Sequence, residues 1–333
     1  MRQIGIAAFT AGLLALAACG GSGGAPEVDA GVLAAVGAGS PAPAAPPAGS
    51  PEITAEDLAR HIRTLSSDAF EGRAPTTPGG EKTRAYIAAE YQRLGLQPVG
   101  ASWFHDVPMV ESTLDPAASF LRIDVNGETR TLGYKTEAVF GTKRAEPEVA
   151  FANSDMVFVG YGVVAPEHQW NDYDGVDVKG KTVVILVNDP GFLTNDETLF
   201  GGKAMTYYGR WTYKYEEAAR QGAAAAIIVH DTGPAAYGWN VVEGSWSGPQ
   251  IDLQRADNGA SRAALEGWIT KETAASLMTA AGLDLEAQMA AANKRGFKPV
   301  ALAGLKASAK IAQSIKRSSD ANVIGVLKGA EAP

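Results

Sequence analysis

The sequence predicts an α/β fold of mixed α+β character, and three observations predict it. Runs that are apolar on both faces, at 156–164, 182–187 and 224–229, read as buried strands. Between and after them lie helix-patterned stretches that open on a capping residue and stop at glycine. The composition, 46% hydrophobic and 20% charged over 333 residues, suits a globular protein with room for more than one core. With 29 Lys plus Arg against 37 Asp plus Glu, and a net charge of -8, the chain lacks the basic footprint that nucleic acid requires.

The first element is a signal peptide over 1-18. Arg2 supplies the positive start, residues 4–16 the apolar run, and Ala17-Ala18 the small residues before Cys19, over a length too short for a comfortable membrane span. Cys19 is the only cysteine, so an internal disulfide is excluded. Its position resembles the bacterial lipoprotein processing box, which implies lipidation at Cys19 as the membrane attachment. With Gly20 next, the resemblance implies an outer membrane lipoprotein whose body lies in the periplasm or at the cell surface. The plainer alternative is cleavage that leaves Cys19 a free thiol. Residues 19-50, rich in Gly, Ala, Pro and Ser, form a tether.

The first folded element is a helix in "ITAEDLARHIRTLSSD". Thr54 caps it, Glu56 and Asp57 favour its positive end, Ile53 is placed to staple against Leu58, and Leu58, Ile62 and Leu65 share a face expected to be buried. A second helix runs from about 80 to 94 and stops at Gly95, with Ile87, Tyr91 and Leu94 as its buried face. The loop before it, 70–79, is expected to be pinned by an Arg73 to Glu71 pair. Strands follow in "FHDVPMV" and "FLRIDVNGETRTL", the latter turning at Asn126-Gly127. From 146 the order is strand, strand, helix, strand, then two helices opened by Thr270 and Asp284 and ended by Gly282 and Gly296. In the last segment, alternating apolar residues at 307, 309, 311 and 315 read as a half-buried strand, although Ile311 and Ile315 also suit a helix. "RSSD" then reads as a turn into a closing strand at 323–327.

Residue chemistry narrows the function by elimination. The four histidines, His61, His105, His168 and His230, fall on different elements and in no H-E-x-x-H or H-x-D arrangement, so no metal ligand is assigned. "EGSWSG" lacks the strand that would lead a nucleophilic Ser245 into a sharp turn, and "GYG" at 160–162 lacks the rest of a dinucleotide fingerprint, so no catalytic residue is assigned. What remains is the aromatic run "MTYYGRWTYKY". It reads either as packing for the following helix or as the wall of a peptide or sugar groove, with Tyr208, Arg210 and Trp211 as the substrate contacts.

Three stretches carry a family resemblance. "DAFEGRAPTTPGGEKTRAYIAAEYQRLGLQPVG" resembles the opening of secreted zinc aminopeptidases related to glutamate carboxypeptidase. "VFVGYGVVAPEHQWNDYDGVDVKGKTVVILVNDPG", with "YEEAARQGAAAAIIVHDTG", resembles the protease-associated (PA) domain those enzymes carry as an insertion. "ANVIGVLKG" resembles the strand by which the chain re-enters the peptidase domain. The resemblance implies an N-terminal peptidase piece over 51-145, the inserted domain over 146-303 and a return into the peptidase domain over 304-333. It also implies two zinc ions and a peptide substrate for the complete enzyme. The family's ligands and general base lie beyond the last matching strand, so the expectation is an incomplete metallo-aminopeptidase, inactive alone and binding no cofactor itself. The alternative is a non-catalytic lipoprotein that uses the inserted fold to bind peptides, sugars or a protein partner.

Overall fold

The computed structural model describes residues 53–329, which divide into two compact units, one of 53–106 with 321–329 and one of 107–320. The signal peptide, Cys19 and the tether lie outside the described residues. The fold is mixed α/β, as the sequence predicts.

In the discontinuous unit, helix α1 (Ala55–Leu65) is capped by Thr54, whose hydroxyl accepts from Asp57 N–H at 3.1 Å while the Asp57 carboxylate accepts from Thr54 N–H. The expected apolar face is not the buried one. Ile53, Leu58 and Ile62 are exposed, and the helix docks through its polar side instead, with Arg60 paired to Glu90 at 3.0 Å and His61 Nδ1 at 2.7 Å from the Tyr86 hydroxyl. Of the predicted stripe only Leu65 is half-buried. The loop 70–79 begins as a 3-10 turn, Asp68–Arg73, with the Glu71, Gly72 and Arg73 backbones at positive φ. Glu71 pairs with Lys82 at 3.0 Å and not with Arg73, because the left-handed backbone sends the two neighbouring side chains apart.

Helix α2 (Pro78–Arg93) has Thr77 as its cap and Pro78 in its first turn. Two glycines let it lie on the loop backbone: a Cβ on Gly79 would sit 2.1 Å from Phe70 O, and one on Gly80 2.5 Å from Ala74 O. Ala88 is its most buried apolar side chain, Ile87 and Tyr91 are half-buried, and Leu94 is exposed. Strand β1 (Gln97–Pro98) follows.

Strand β2 (Phe104–Leu114) leads into a hairpin of β3 (Phe120–Val125) and β4 (Glu128–Thr131). Asn126 and Gly127 both take positive φ in the tight turn, as the Asn-Gly pair predicts. Then come β5 (Ala138–Gly141), β6 (Glu148–Phe158), the short β7 (Val164–Ala165) and β8 (Trp170–Asn171), β9 (Thr182–Leu186), helix α3 (Trp211–Arg220) and β10 (Ala225–His230). The chain continues with α4 (Thr232–Ala235), α5 (Trp239–Ser245), β11 (Pro249–Leu253), β12 (Leu265–Thr270), α6 (Lys271–Ala280), α7 (Leu285–Ala292), β13 (Val300–Val323) and β14 (Gly325–Val326).

Ten of these strands form one sheet, ordered β11-β2-β13-β6-β9-β10-β12-β5, with β3 and β4 off β13. Its centre is parallel: β6, β9, β10 and β12 run together in register. Both faces of that centre are covered, which is why the runs are continuously apolar. Val184, Leu186, Ile227 and Val229 enter one core, closed by Leu277, Met278 and Met289 of α6 and α7; Val183, Ile185 and Ile228 enter the other, closed by Tyr215 and Ala218 of α3. Thr270 and Asp284 cap α6 and α7 as expected.

The "RSSD" turn does not form. β13 is one strand of 24 residues, and 317–320 stay extended beside β2, bracketed by Asp115 N–H to Ala312 O and Ile324 N–H to Trp103 O. The break comes at Ile324, after which β14 pairs antiparallel with β1, matching Gln97 to Val326 and Pro98 to Gly325. A Cβ on Gly325 would lie within 3.1 Å of Tyr91, Leu96 and Trp103 side chains, so glycine is required there. The unit of 107–320 takes in β2, β3, β5 and most of β13, which pair into the same sheet.

Gly79→Ala is expected to destabilise the discontinuous unit by about 1–3 kcal/mol, the range for forced overpacking, because backbone and not a flexible side chain lies in the way. Urea denaturation followed by circular dichroism checks this; an unchanged midpoint would contradict the close approach.

Candidate functional site

The aromatic run divides around the start of α3. Thr206 caps the turn Tyr207–Gly209 and is itself held by Asp189, which accepts from its N–H at 2.9 Å and from its hydroxyl. This turn sends Tyr208 against Phe200, Tyr213 and His168, with ring centroids 5.7, 5.0 and 6.2 Å away, and its hydroxyl donates to Glu167. Arg210 occupies the N-cap position of α3 and is exposed. Trp211 turns to the other side, 6.1 Å from the rings of Tyr215 and Trp246. Of the three predicted contacts, Trp211 lines a cleft, Tyr208 joins the His168 and Phe200 group, and Arg210 stands exposed at the start of α3.

That cleft, of about 240 Å³, lies where the two ends of the large sheet come together. Phe140 and Gly141 of β5 line it from one end, Ser112 of β2 and Gln250 of β11 from the other, with Trp211 and Trp246 across its side. Lys143 and Asp252 bridge the two ends at 3.4 Å. In its wall stands Glu266 of β12, 1% exposed. Arg262 donates to Glu266 Oε1 from Nε at 2.9 Å and Nη2 at 2.7 Å. Oε2 has no hydrogen-bond partner among the described residues. Burial raises the carboxyl above its ordinary value, opposed by Arg262 and Lys143. Sequence reasoning missed Glu266, and the available signal was a glutamate inside the apolar run "AALEGWIT" with an arginine four residues before it. Ser245 also lines this cleft, but it ends α5 and its hydroxyl donates to Val242 O, so it is no nucleophile.

A second polar cluster lies at the carboxyl ends of the parallel strands, where α/β sheets commonly place function. Lys214 of α3 is fully buried, and its ammonium donates to Tyr161 O at 2.7 Å and Tyr208 O at 3.2 Å. Burial lowers its pKa to about 7, resisted by Asp189 and Asp172. Burial likewise raises Asp172 to about 7, although Val163 N–H and Trp170 Nε1–H donate to it at 3.0 and 2.7 Å. Asn293 donates to the Tyr161 hydroxyl at 3.0 Å and accepts from Gly191 N–H. These groups tie the aromatic loop to the strand ends. A wider cleft of about 360 Å³ beside them, lined by Trp170, Asp174, Phe297 and Lys298, is crossed by a Lys298 to Asp174 ion pair.

The histidines stay apart. His61 bonds Tyr86, His105 lies on β2, His168 stacks at 4.5 Å on Phe200, and His230 Nε2 is 3.0 Å from Tyr237 O. No three His, Cys, Asp or Glu residues converge on a metal-sized site among the described residues, which therefore do not fit a zinc pair.

Comparison with known proteins finds no matching family model and no matching curated protein. Among solved structures, the chain is similar to an aminopeptidase from Aneurinibacillus sp. strain AM-1, at 21% identity over 82% of this chain and 47% of that one, with a TM-score of 0.36. It is also similar to a zinc aminopeptidase from Bacillus subtilis, at 16% identity over 82% of this chain and 46% of that one, with a TM-score of 0.27. The chain thus spans about half the length of these neighbours.

Lys214 gives a pH signature. Between about pH 7 and its ordinary value of 10.5 the unfolded chain holds a proton that the folded chain has lost, so stability rises with pH through that window. Asp172 acts oppositely: between 3.8 and about 7 the folded state holds the extra proton, so stability falls as pH rises. Lys214→Met is expected to abolish the rise above pH 7, worth up to about 1.4 kcal/mol per pH unit for one proton. Urea titrations of both proteins across that window check it; parallel curves would contradict a buried, largely neutral Lys214.

Proposed function

We propose that these residues belong to a zinc aminopeptidase related to glutamate carboxypeptidase, in which they supply the leading peptidase segment and an inserted protease-associated unit. In this reading the metal ligands and general base come from residues other than the described ones, which bring no three His, Cys, Asp or Glu together. The observation that carries the reading is the discontinuous unit. The two segments that resemble pieces of a peptidase domain pair with each other through β1 and β14, although more than two hundred residues separate them. A chain that leaves a compact unit and returns to it in this way is what an inserted domain gives, which supports the reading. The stretches that resemble the inserted domain fall on β6, β9, α3 and β10, a parallel layer with its helix.

In this reading the protein is exported and anchored through lipid on Cys19 at the outer membrane, with its body in the periplasm or at the cell surface and peptides as substrates. Since the described residues do not fit the zinc pair, no hydrolytic step is assigned to them; their part is to bind and position. A second reading, a non-catalytic lipoprotein that binds peptides, sugars or a protein partner, is favoured by the aromatic cleft at Glu266, which needs no metal to hold a ligand.

The purified mature chain is expected to retain no stoichiometric zinc after dialysis, measured by plasma emission, and to leave aminoacyl-nitroanilides intact. Chelator-sensitive turnover would overturn the assignment of the metal site to other residues. The two readings separate on the DNA that follows the codon for Pro333: a peptidase frame with an H-x-D pair supports the first, and unrelated sequence supports the second.

A further inference from the structure

We propose that the cleft between the ends of the large sheet is a binding site for a compact organic cation, the primary ammonium or guanidinium group of a lysine or arginine side chain. The proposal stands on the cleft alone and does not depend on the aminopeptidase reading.

Glu266 carries it. Its side chain is 1% exposed, Arg262 occupies Oε1, and Oε2 has no partner among the described residues. A buried acceptor left unpaired costs about 1–3 kcal/mol, and more when it is charged, so an unpaired carboxylate oxygen on a residue that lines a cleft marks a place where a donor is stabilising; the atom is closed to solvent, and a donor reaches it by displacing the side chains that cover it. The neighbouring groups say which donor. Trp211 and Trp246 stand with ring centroids 6.1 Å apart and planes at 66°, and Tyr215 lies 5.7 Å from Trp246. Aromatic faces of this kind attract cations, Trp most strongly. Gln313 donates from its amide nitrogen to Arg144 O and Glu146 O at 2.8 Å each, which leaves its amide oxygen, an acceptor, as the group it offers to the cleft.

The charges permit the same occupant. Lys143, at the cleft, is matched by Asp252 at 3.4 Å, and Arg262 is matched by the first oxygen of Glu266. An entering cation therefore meets no uncompensated positive charge and supplies the donor that the second oxygen lacks. Size limits the occupant: about 240 Å³ falls below the roughly 300–1,000 Å³ typical of small-molecule pockets, which suits one side chain and not a larger ligand.

The test is calorimetric titration of the mature chain with Nα-acetyl-lysine N-methylamide, its arginine counterpart, and the norleucine derivative that keeps the length but not the charge. The lysine and arginine compounds are expected to bind and to quench tryptophan fluorescence, with norleucine weaker by about tenfold or more, equivalent to about 1.4 kcal/mol. Glu266→Gln, which keeps the shape, is expected to remove the preference for lysine over norleucine. Trp211→Ala, at a position 38% exposed, is expected to weaken lysine binding with no change in the urea midpoint, and it decides the matter if the Glu266 variant does not fold. Equal affinities for lysine and norleucine, no binding at millimolar concentration, a lysine preference that survives Glu266→Gln, or full lysine affinity in Trp211→Ala would each overturn the proposal.

Discussion

The backbone of β13 must find partners for its N–H and C=O groups over 24 residues, a length of about 80 Å at strand spacing. No single neighbouring strand is that long, so β13 is shared in sequence. β6 and β3 take its first half, in registers that run from Val300 to Ala312, and β2 takes the second half between the bracketing bonds at Ala312 and Ile324. The order of the sheet follows from this division. Because β6 begins the parallel layer and β2 carries β11, β13 is the join between a buried core and an antiparallel end. At the two ends of the path, β11 and β5 line one cleft, bridged by Lys143 and Asp252.

Two polar features inside the larger unit show how differently a buried charge can be treated. Lys214 finds two backbone carbonyls and sits near Asp172 and Asp189, and most of the polar atoms around it are engaged. That arrangement fixes a loop. Glu266 has one oxygen engaged by Arg262 and the other without a partner among the described residues, on a residue that lines a cleft. The two differ in their partners and not in the depth of burial, since both are at most 1% exposed, and each cluster keeps one buried carboxylate oxygen without a partner among the described residues, Asp189 Oδ1 near Lys214 and Oε2 on Glu266 itself.

Local signals were legible in the sequence and long-range ones were not. The caps at Thr54, Thr270 and Asp284, the glycine stops, the Asn126-Gly127 turn and the buried strands around Val183 and Ile227 each depend on a few neighbouring residues, and each is where the pattern places it. The face by which α1 docks was not legible, because it is chosen by Glu90 and Tyr86 on another helix. The extended path through Arg317-Ser318-Ser319-Asp320 was likewise hidden: turn-favouring residues yield when a neighbouring strand supplies the ladder. Of the site, Trp211 was visible as an aromatic beside a helix start, whereas Glu266 looked like an ordinary charge. Its meaning depends on Arg262, on β5 and on β11, which only the folded sheet brings together.

The meeting of β5 and β11 has a further consequence, for solubility. These are the two strands at the ends of the main strand path, and a large sheet with bare edges is a template on which other chains can add. At these ends Lys143 and Asp252 pair at 3.4 Å, and charged side chains beside an edge strand are one of the means by which sheets discourage such addition. The ion pair that borders the cleft therefore also sets charge beside both ends of the strand path.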